Sequence, residues 1–92
     1  MINLRLLARD KACQIRLPGI CNFDPATTVL AHYRLMGISG MGMKSPDPLG
    51  AHSCSSCHSF VDSHHDDATK VAFLEGVLRT QAVLMRDGII KW

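Results

Sequence analysis

The alternation of apolar and polar residues predicts two β-strands in the first third of the chain. Residues 13–17 (CQIRL) alternate with a period of two and end at a Pro-Gly turn pair. Residues 27–34 (TTVLAHYR) are rich in β-branched and aromatic side chains, which favour strands. Before both, residues 4–12 mix apolar and charged positions in a pattern compatible with a short amphipathic helix. The first strand and the loop after it carry a cysteine at each end, Cys13 and Cys21.

A long loop and two helices are predicted in the rest of the chain. Residues 36–50 contain four glycines and two prolines, a composition typical of a loop. Residues 58–64 can form a helix, and Asp66 or Asp67 can cap a second helix, which Gly88 ends. The predicted apolar stripe of that second helix is Val71, Leu74, Val77, Leu78, Ala82 and Met85. Together these elements predict an α+β fold.

The length and composition predict one small domain. With 92 residues and 47% hydrophobic content, the chain can build a single core. A chain of this size buries only about 60% of the surface that its unfolded form exposes. We expect residues 1–92 to form one domain, in which residues 89–92 either add a short strand or pack against the core. A cross-link or a metal site would stabilise such a small core.

Four cysteines could supply that cross-link, either as two disulfides or as one metal site. The apolar run at the start contains Arg5, and no small-residue cleavage site follows it. We therefore expect neither a secretory signal nor a membrane span, and predict a cytoplasmic protein without a membrane partner. In a reducing cytoplasm, thiolates that bind zinc are favoured over disulfides.

The spacing of the cysteines predicts a structural zinc site. Cys54 and Cys57 form a Cys-x2-Cys pair, in which a tight turn directs two sulfurs at one ion. Cys13 and Cys21 form a wider Cys-x7-Cys pair upstream, and four thiolates make a closed tetrahedral site. The alternative is four buried free thiols, since free cysteine is often buried. Two pairs in a small cytoplasmic chain favour zinc over that alternative.

The histidines near the second cysteine pair raise a further metal hypothesis. His52 or His58 could replace an upstream cysteine if that cysteine were absent from the zinc site. On a helix, His58 and Asp62 stand one turn apart on one face, where they could share a divalent cation with water and a phosphate. Such a pair is often only a polar helix face, but this one follows a zinc cysteine directly. Residues 64–67 (HHDD) indicate a polar joint between helices.

The quoted residues together resemble the HNH, or ββα-metal, nucleases, and particularly the small YbcO-like proteins carried by lambdoid prophages. The resemblance runs from CQIRLPGIC through TTVLAHYRLMGISGMGMKSPDPLGAHSCSSCHSFVD. His32 in AHYR matches the first histidine of that family, and His58 in CSSCH matches the last. The resemblance implies a zinc-stabilised ββα-metal core over about residues 13–64, with an additional C-terminal helix over about residues 67–86.

The resemblance also implies a role for each of these side chains. His32 would act as a general base that takes a proton from the water attacking the phosphorus. His58, with Asp62 as second ligand, would hold a catalytic Mg²⁺ or another divalent cation that stabilises the leaving oxygen. The zinc on the cysteines would do no chemistry and would hold the helix of His58 against the strand of His32. The implied activity is DNA endonuclease activity.

The chain departs from the family pattern at two positions. Ala31 stands where many members carry a metal-binding aspartate, and no asparagine lies between His32 and His58. Asp47 or a backbone carbonyl could orient the base instead. These departures motivate an alternative, a non-catalytic zinc module of prophage origin that binds nucleic acid or protein. A third hypothesis is a structural mini-domain that docks through its helix at residues 70–86.

The charge of the chain permits contact with DNA without selecting it. The net charge is +2 and the sequence pI is about 8.5. Arg34, Lys44 and Arg16 are the candidates for phosphate contacts, although each could equally be ordinary surface charge. No helix rich in base-reading side chains is evident, so we expect little sequence preference. DNA rather than RNA is expected from the resemblance alone.

Overall fold

The computed structural model describes residues 2–35, 37–38 and 45–90, and within them it has two strands and three α-helices. In chain order the elements are α1 (Leu4–Leu7), β1 (Val29–His32), β2 (Gly50–Ser53), α2 (Ser55–Ser63) and α3 (Asp67–Arg86), with short 3-10 turns at Pro25–Thr27 and Asp47–Leu49. The predicted α+β class is therefore confirmed.

The two strands form an antiparallel sheet that packs against α3. Ala31 of β1 is opposite Ala51 of β2, and both side chains are buried in the core. All four residues of β2 are buried. The His52 amide donates to the Thr80 hydroxyl of α3 at 2.9 Å, and that hydroxyl donates to the Gly76 carbonyl at 2.8 Å. Small and hydrogen-bonding side chains thus let helix and strand approach closely.

The strand predicted over residues 13–17 is wrong, because this segment is irregular. Gln14 and Ile15 are both buried, so successive side chains do not alternate between core and solvent. Arg16 has a φ of 54°, a left-handed conformation that interrupts an extended backbone. A backbone hydrogen bond of 2.7 Å from the Gln14 amide to the His52 carbonyl still holds the segment beside β2.

Helix α3 holds the same segment from its other side. The Arg79 guanidinium donates to the carbonyls of Gln14 and Ile15 at 2.7 and 3.3 Å. A Cβ atom at Gly76 would lie 2.8 Å from Ile15 Cγ1 and 3.1 Å from its Cα. Glycine is therefore required at this point of the helix, despite its low helix propensity, because the loop backbone passes directly over it.

The strand predicted over residues 27–34 is confirmed in its centre as β1, but the partner strand β2 was missed. Its sequence, GAHS, lacks the β-branched and aromatic residues that favour strands. Burial between α3 and the loop at residues 13–17 stabilises it instead. The loop predicted over residues 36–50 ends in a 3-10 turn and in β2, and its residue 36 and residues 39–44 lie outside the described residues.

Both predicted helices after Cys57 are confirmed. Helix α2 begins three residues earlier than predicted, because the Cys54 sulfur caps it by accepting a hydrogen bond from the Cys57 amide at 3.3 Å. Asp66 caps α3 by accepting hydrogen bonds from the Thr69 hydroxyl at 2.7 Å and the Thr69 amide at 3.3 Å. The hydrogen bond from the Thr69 side chain lowers the pKa of the Asp66 carboxyl.

The end of α3 also agrees with the sequence. Gly88 follows the helix with a φ of 73°, which favours glycine. The Ile89 amide then donates to the Leu84 carbonyl at 2.8 Å. Ile89 and Ile90 are half-buried and form no strand, so the described part of the tail packs against the helix end. Residues 91–92 lie outside the described residues.

The apolar stripe predicted for α3 is largely wrong. Val71, Leu74 and Leu78 are exposed, and of the predicted stripe only Val77 is fully buried. The buried face of α3 consists of Thr69, Phe73, Gly76, Val77, Thr80 and Leu84. The helix has two faces with apolar residues, and periodicity cannot tell which one meets the sheet. Among the described residues, no helix is both long and apolar enough to cross a membrane.

Two leucines of α3 provide a direct test of this face. Leu84 is 3% exposed and Leu78 is 64% exposed. We expect Leu84→Ala to lower the free energy of unfolding by about 2–5 kcal/mol, because it leaves a cavity. The same change at Leu78 should alter it by less than about 0.5 kcal/mol. Denaturant unfolding of the two variants measures both changes, and equal losses would contradict the placement of α3.

His52 is a buried titratable residue of β2. Its side chain is 1% exposed, and its Nδ1 atom has no hydrogen-bond partner in the protein. Burial, together with the charge of Lys11, lowers the pKa of His52 below 6.5. The folded protein therefore favours the neutral ring, whereas the unfolded chain takes up a proton as the pH falls through about 6.5. Stability is retained above that pH and lost below it.

This lowered pKa predicts a pH dependence that His52→Leu removes. As the pH falls from 7.5 to 5, the parent protein should lose stability relative to the variant, by at most about 1.4 kcal/mol per pH unit. The other histidines and the thiols are common to both proteins and cancel in the difference. Denaturant unfolding at several pH values measures it. A difference that is independent of pH would show that His52 is not held neutral.

Candidate metal centre and catalytic cleft

Four thiol groups meet where the loop at residues 13–21 touches the start of α2. Their sulfur atoms all lie within 4.8 Å of one another, and the residues are Cys13, Cys21, Cys54 and Cys57. None of the four forms a disulfide, and the Sγ atoms of Cys21 and Cys54 are 3.7 Å apart. In a disulfide that distance is about 2.05 Å. The four predicted zinc ligands are therefore brought together as one cluster.

Local backbone structure places each sulfur. Cys54 caps α2 and Cys57 lies in its first turn, so both sulfurs point to the same side of the helix start. The Cys21 amide donates to the Leu17 carbonyl at 2.9 Å, which closes a turn that contains Gly19 at a φ of 74°. That turn brings Cys21 back beside Cys13. Glycine suits the turn because its φ is positive.

The thiols differ in their tendency to ionise. Burial raises the pKa of Cys54, but hydrogen bonds from the Cys57 and Asn22 amides and from neighbouring thiols outweigh burial and lower that pKa to about 7. Burial raises the pKa of Cys57, and burial also raises the pKa of Cys21. Of these three thiols, Cys54 is therefore the one that loses its proton most readily. A bound cation deprotonates coordinating thiols outright.

The donor set and the spacing fit zinc. Four ligands at about 2.3 Å in a tetrahedron have sulfurs separated by about 3.8 Å. The 3.7 Å between Cys21 and Cys54 matches that edge. Three of the sulfurs belong to buried residues and Cys21 is half-buried, so the cluster offers no open position for a substrate. The four cysteines could hold a metal ion such as zinc, in a site suited to a structural role.

A separate cleft lies between β1 and the exposed face of α2. It has a volume of about 250 Å³ and is lined by Leu30, His32, Arg34, His58 and Asp62. Both histidines singled out in the sequence therefore line the same space, although they are 26 positions apart. Leu30, His32 and Arg34 alternate along β1 and its extension, which puts their side chains on one face.

The end of the long loop runs beside β1 and contacts His32. The Tyr33 amide donates to the Leu49 carbonyl at 3.1 Å, and the Ser45 hydroxyl donates to the Tyr33 carbonyl. Asp47 lies between Ser45 and Leu49 in the chain, and its Oδ1 atom is 2.7 Å from Nε2 of His32. The His32 side chain is 9% exposed, whereas that of Asp47 is 35% exposed. Asp47 is thus the carboxylate that orients the ring.

Asp47 also contacts a basic residue of α1. Its Oδ2 atom lies 3.6 Å from Nε of Arg5. The chain Arg5–Asp47–His32 therefore spans three elements that are far apart in sequence. The sequence suggested Asp47, in the segment SPDPLG, or a backbone carbonyl as the group that orients His32. Nothing in the sequence pointed to Arg5, since its partner depends on how α1 packs.

His58 and Asp62 lie one turn apart on α2. Nε2 of His58 is 3.4 Å from Oδ2 of Asp62. Their side chains are 39% and 67% exposed, so both are accessible from the cleft. The pair offers two ligand atoms, and among the described residues the cysteine cluster is the one group with three or more. A cation on this pair would need water or substrate to complete its shell.

The remaining candidates are distributed as follows. Arg34 lines the cleft, whereas Arg16 donates to the Cys13 carbonyl at 3.2 Å and to the Gln14 side chain at 3.0 Å. Arg16 is therefore folded back onto its own loop. Lys44 lies outside the described residues. His52 is not in the cysteine cluster, so the idea that it replaces a cysteine is not needed.

The fold and the site define a class of small α+β proteins with a four-cysteine cluster beside a histidine-lined cleft. The family described as "Putative nuclease YbcO" matches residues 2–89. The chain therefore belongs to the YbcO family, and the resemblance found in the sequence is confirmed at that level.

The relatives match along nearly the whole chain. "Putative nuclease YbcO" of Escherichia coli (strain K12) is 46% identical over 95 residues, which cover 99% of each chain. "Putative nuclease ybcO" of Enterobacteria phage 82 shows the same identity and coverage. A solved structure, "Structure of a putative bacteriophage protein from Escherichia coli str. K-12 substr. MG1655", is 41% identical with a TM-score of 0.77. It covers 94% of this chain and 100% of the other.

The cysteine cluster predicts that each chain binds one zinc ion through sulfur ligands alone. Purified protein should contain one zinc per chain, and Cys57→Ser should lose it together with the cooperative unfolding transition, because metal binding contributes directly to folding. His58→Ala, the adjacent position, is the matched control and should keep both. Elemental analysis and thermal unfolding measure the two properties. Full zinc occupancy in Cys57→Ser would contradict a four-sulfur site.

Proposed function

We propose that this protein is a metal-dependent endonuclease that hydrolyses DNA phosphodiester bonds, with residues 1–92 forming one HNH-like domain. The order β1, β2, α2 supports a ββα-metal arrangement, with His32 on the first strand and His58 on the helix. The nuclease names of the family and of its relatives support the same class of reaction.

The observation that carries the proposal is the shared cleft. His32, Arg34, His58 and Asp62 come from two elements and line one space of about 250 Å³. Phosphodiester hydrolysis needs three kinds of group around one phosphate. They are a general base, a positively charged side chain, and an imidazole and a carboxylate that together bind a metal ion. A merely structural role would not require these side chains to converge.

His32 acts as the general base through its Nδ1 atom. An ionised carboxylate only accepts hydrogen bonds, so Asp47 at 2.7 Å keeps the ring proton on Nε2. The lone pair of the neutral ring is then on Nδ1, the atom that takes a proton from the attacking water. Asp47 also stabilises the imidazolium that results. Arg5 holds the other oxygen of Asp47 and is a positioning residue.

His58 and Asp62 hold the catalytic divalent cation. An imidazole nitrogen and a carboxylate oxygen 3.4 Å apart fit a cation that keeps most of its positions for water and phosphate, as Mg²⁺ does. When bound, such a cation neutralises phosphate charge and stabilises the leaving oxygen. Ala31 supplies no ligand, because its side chain is buried in the core.

Arg34 contributes a phosphate contact at the cleft. Arg16, which is hydrogen-bonded to its own loop, and Lys44 stay candidates, from the amino-acid sequence alone, for contacts to the DNA backbone. These are sequence-independent contacts, so the enzyme has little sequence preference. The zinc on the cysteines holds the start of α2 in place and leaves the chemistry to the cleft.

The proposed base and its orienting carboxylate make the sharpest test. His32→Ala should lower kcat by about 10²–10⁴-fold, the usual contribution of a general base. Asp47→Asn should lower kcat as well, by at least about tenfold, because the amide can donate to Nε2 and so move the ring proton to Nδ1, and because it has no negative charge to stabilise the imidazolium. Both should keep zinc content and fold. Nicking of a supercoiled plasmid with Mg²⁺, Mn²⁺ or Ni²⁺ measures the rates.

Asp87→Asn is the matched control, an aspartate at the end of α3 that should leave the rate unchanged. If His32→Ala cuts as fast as the parent, the assignment of the base is wrong. If the parent binds DNA but never nicks it with any of these cations, the alternative of a non-catalytic nucleic-acid-binding module holds instead.

A further inference from the structure

A second cavity lies directly beside the catalytic cleft. It is bounded by the C-terminal end of α2, the N-terminal end of α3 and the residues that follow β1, and its volume is about 400 Å³. Arg34 and Asp62 line both spaces, so the two are adjacent. Pockets that hold small organic ligands begin at about 300 Å³. We call this space the flanking pocket. Its walls and rim include Tyr33, Val61, Phe73, Arg34, Lys70 and His65.

The walls of the flanking pocket suit a flat aromatic ligand. The rings of Tyr33 and Phe73 pack edge to face, with centroids 5.0 Å apart and planes at 80°. Val61 adds an aliphatic surface. The pocket is also lined by His64, whose ring stacks on Phe60 at 3.7 Å and is held by a 3.0 Å contact between its Nδ1 and the Phe60 carbonyl. These rigid π-systems are the partners on which nucleobases stack.

The rim of the same pocket suits an anion. Arg34 and Lys70 bring two permanent positive charges, and Asp62 is the one carboxylate among the lining residues. Asp62 is already engaged with His58 at 3.4 Å. An aromatic wall beside a cationic rim is how proteins bind single-stranded nucleic acid, with bases on the rings and phosphates on the cations.

We propose that the flanking pocket receives an unpaired nucleotide of DNA immediately beside the scissile phosphate. This inference rests on the proposed function, because it takes the cleft as the position of that phosphate. A base in a duplex is paired and stacked, and it enters a pocket only if it is first flipped out at an energetic cost. The favoured substrate is therefore single-stranded DNA, or a duplex with an unpaired nucleotide at the cut.

Binding measured without added catalytic metal separates this inference from the activity. Fluorescence anisotropy of labelled single-stranded oligonucleotides, each with one abasic site at a different position, scans for the nucleotide that occupies the pocket. Base stacking on an aromatic side chain corresponds to about a 5- to 150-fold change in Kd. We expect one position at which the abasic site weakens binding by that factor, and a weaker affinity for the fully paired duplex.

Tyr33→Leu tests whether the base contacts the pocket wall. The variant keeps an apolar side chain but removes the aromatic ring. The factor by which an abasic site at the sensitive position raises Kd should therefore fall towards one. Lys70→Ala should weaken single-strand binding more than Arg86→Ala, a matched loss of charge at the other end of the same helix. Zinc content and circular dichroism verify that each variant is folded.

The outcomes distinguish the two proposals. Equal affinity for single strand and duplex, with no position sensitive to base removal, would overturn the flanking pocket whether or not the enzyme cleaves. A sensitive position that Tyr33→Leu leaves unchanged would overturn it too. Position-specific binding in a protein that never cleaves would support the pocket and refute the nuclease.

Discussion

The meeting of four thiols is the contact on which the rest of the structure depends. Cys13 and Cys21 bound a loop without regular secondary structure, and Cys54 and Cys57 begin a helix of nine residues. An isolated helix of that length is not stable in water. The contact between its first turn and the loop fixes the residue at which α2 starts and the rotation of α2 about its own axis. The position of every side chain on α2 follows from that start.

A second constraint is the close packing of α3 on the sheet and the loop. Gly76 lets the backbone at Ile15 pass over the helix, and Thr80 satisfies the amide of His52. Strand β2 is thereby buried from both sides. Its antiparallel register with β1 places His32 opposite Gly50, at the end of the sheet. The backbone of His32 is therefore held by a partner strand that is itself fixed in the core.

The features that the sequence predicted correctly depend on residues that are close together in the chain. Cysteine spacing, the Asp66 cap and the His58–Asp62 face are local patterns, and the structure has each of these arrangements. The buried face of α3, strand β2 and the contact between Arg5 and Asp47 depend on which elements meet, so they could not be read from the chain. The strand predicted over residues 13–17 failed because Gln14 and Ile15 are both buried and Arg16 has a positive φ, features that local alternation does not reveal.

Helix α2 shows how one element can serve a structural and a chemical role. Successive residues of a helix are rotated by about 100°, so residues i and i+4 share a face and their neighbours at i+1 and i+5 share the next. Cys57 and Val61 are buried on the first face, and His58 and Asp62 line the cleft on the second. Fixing the sulfur of Cys57 therefore also fixes the imidazole beside it. The cysteine cluster can thus determine the geometry of the groups that are proposed to carry out the chemistry.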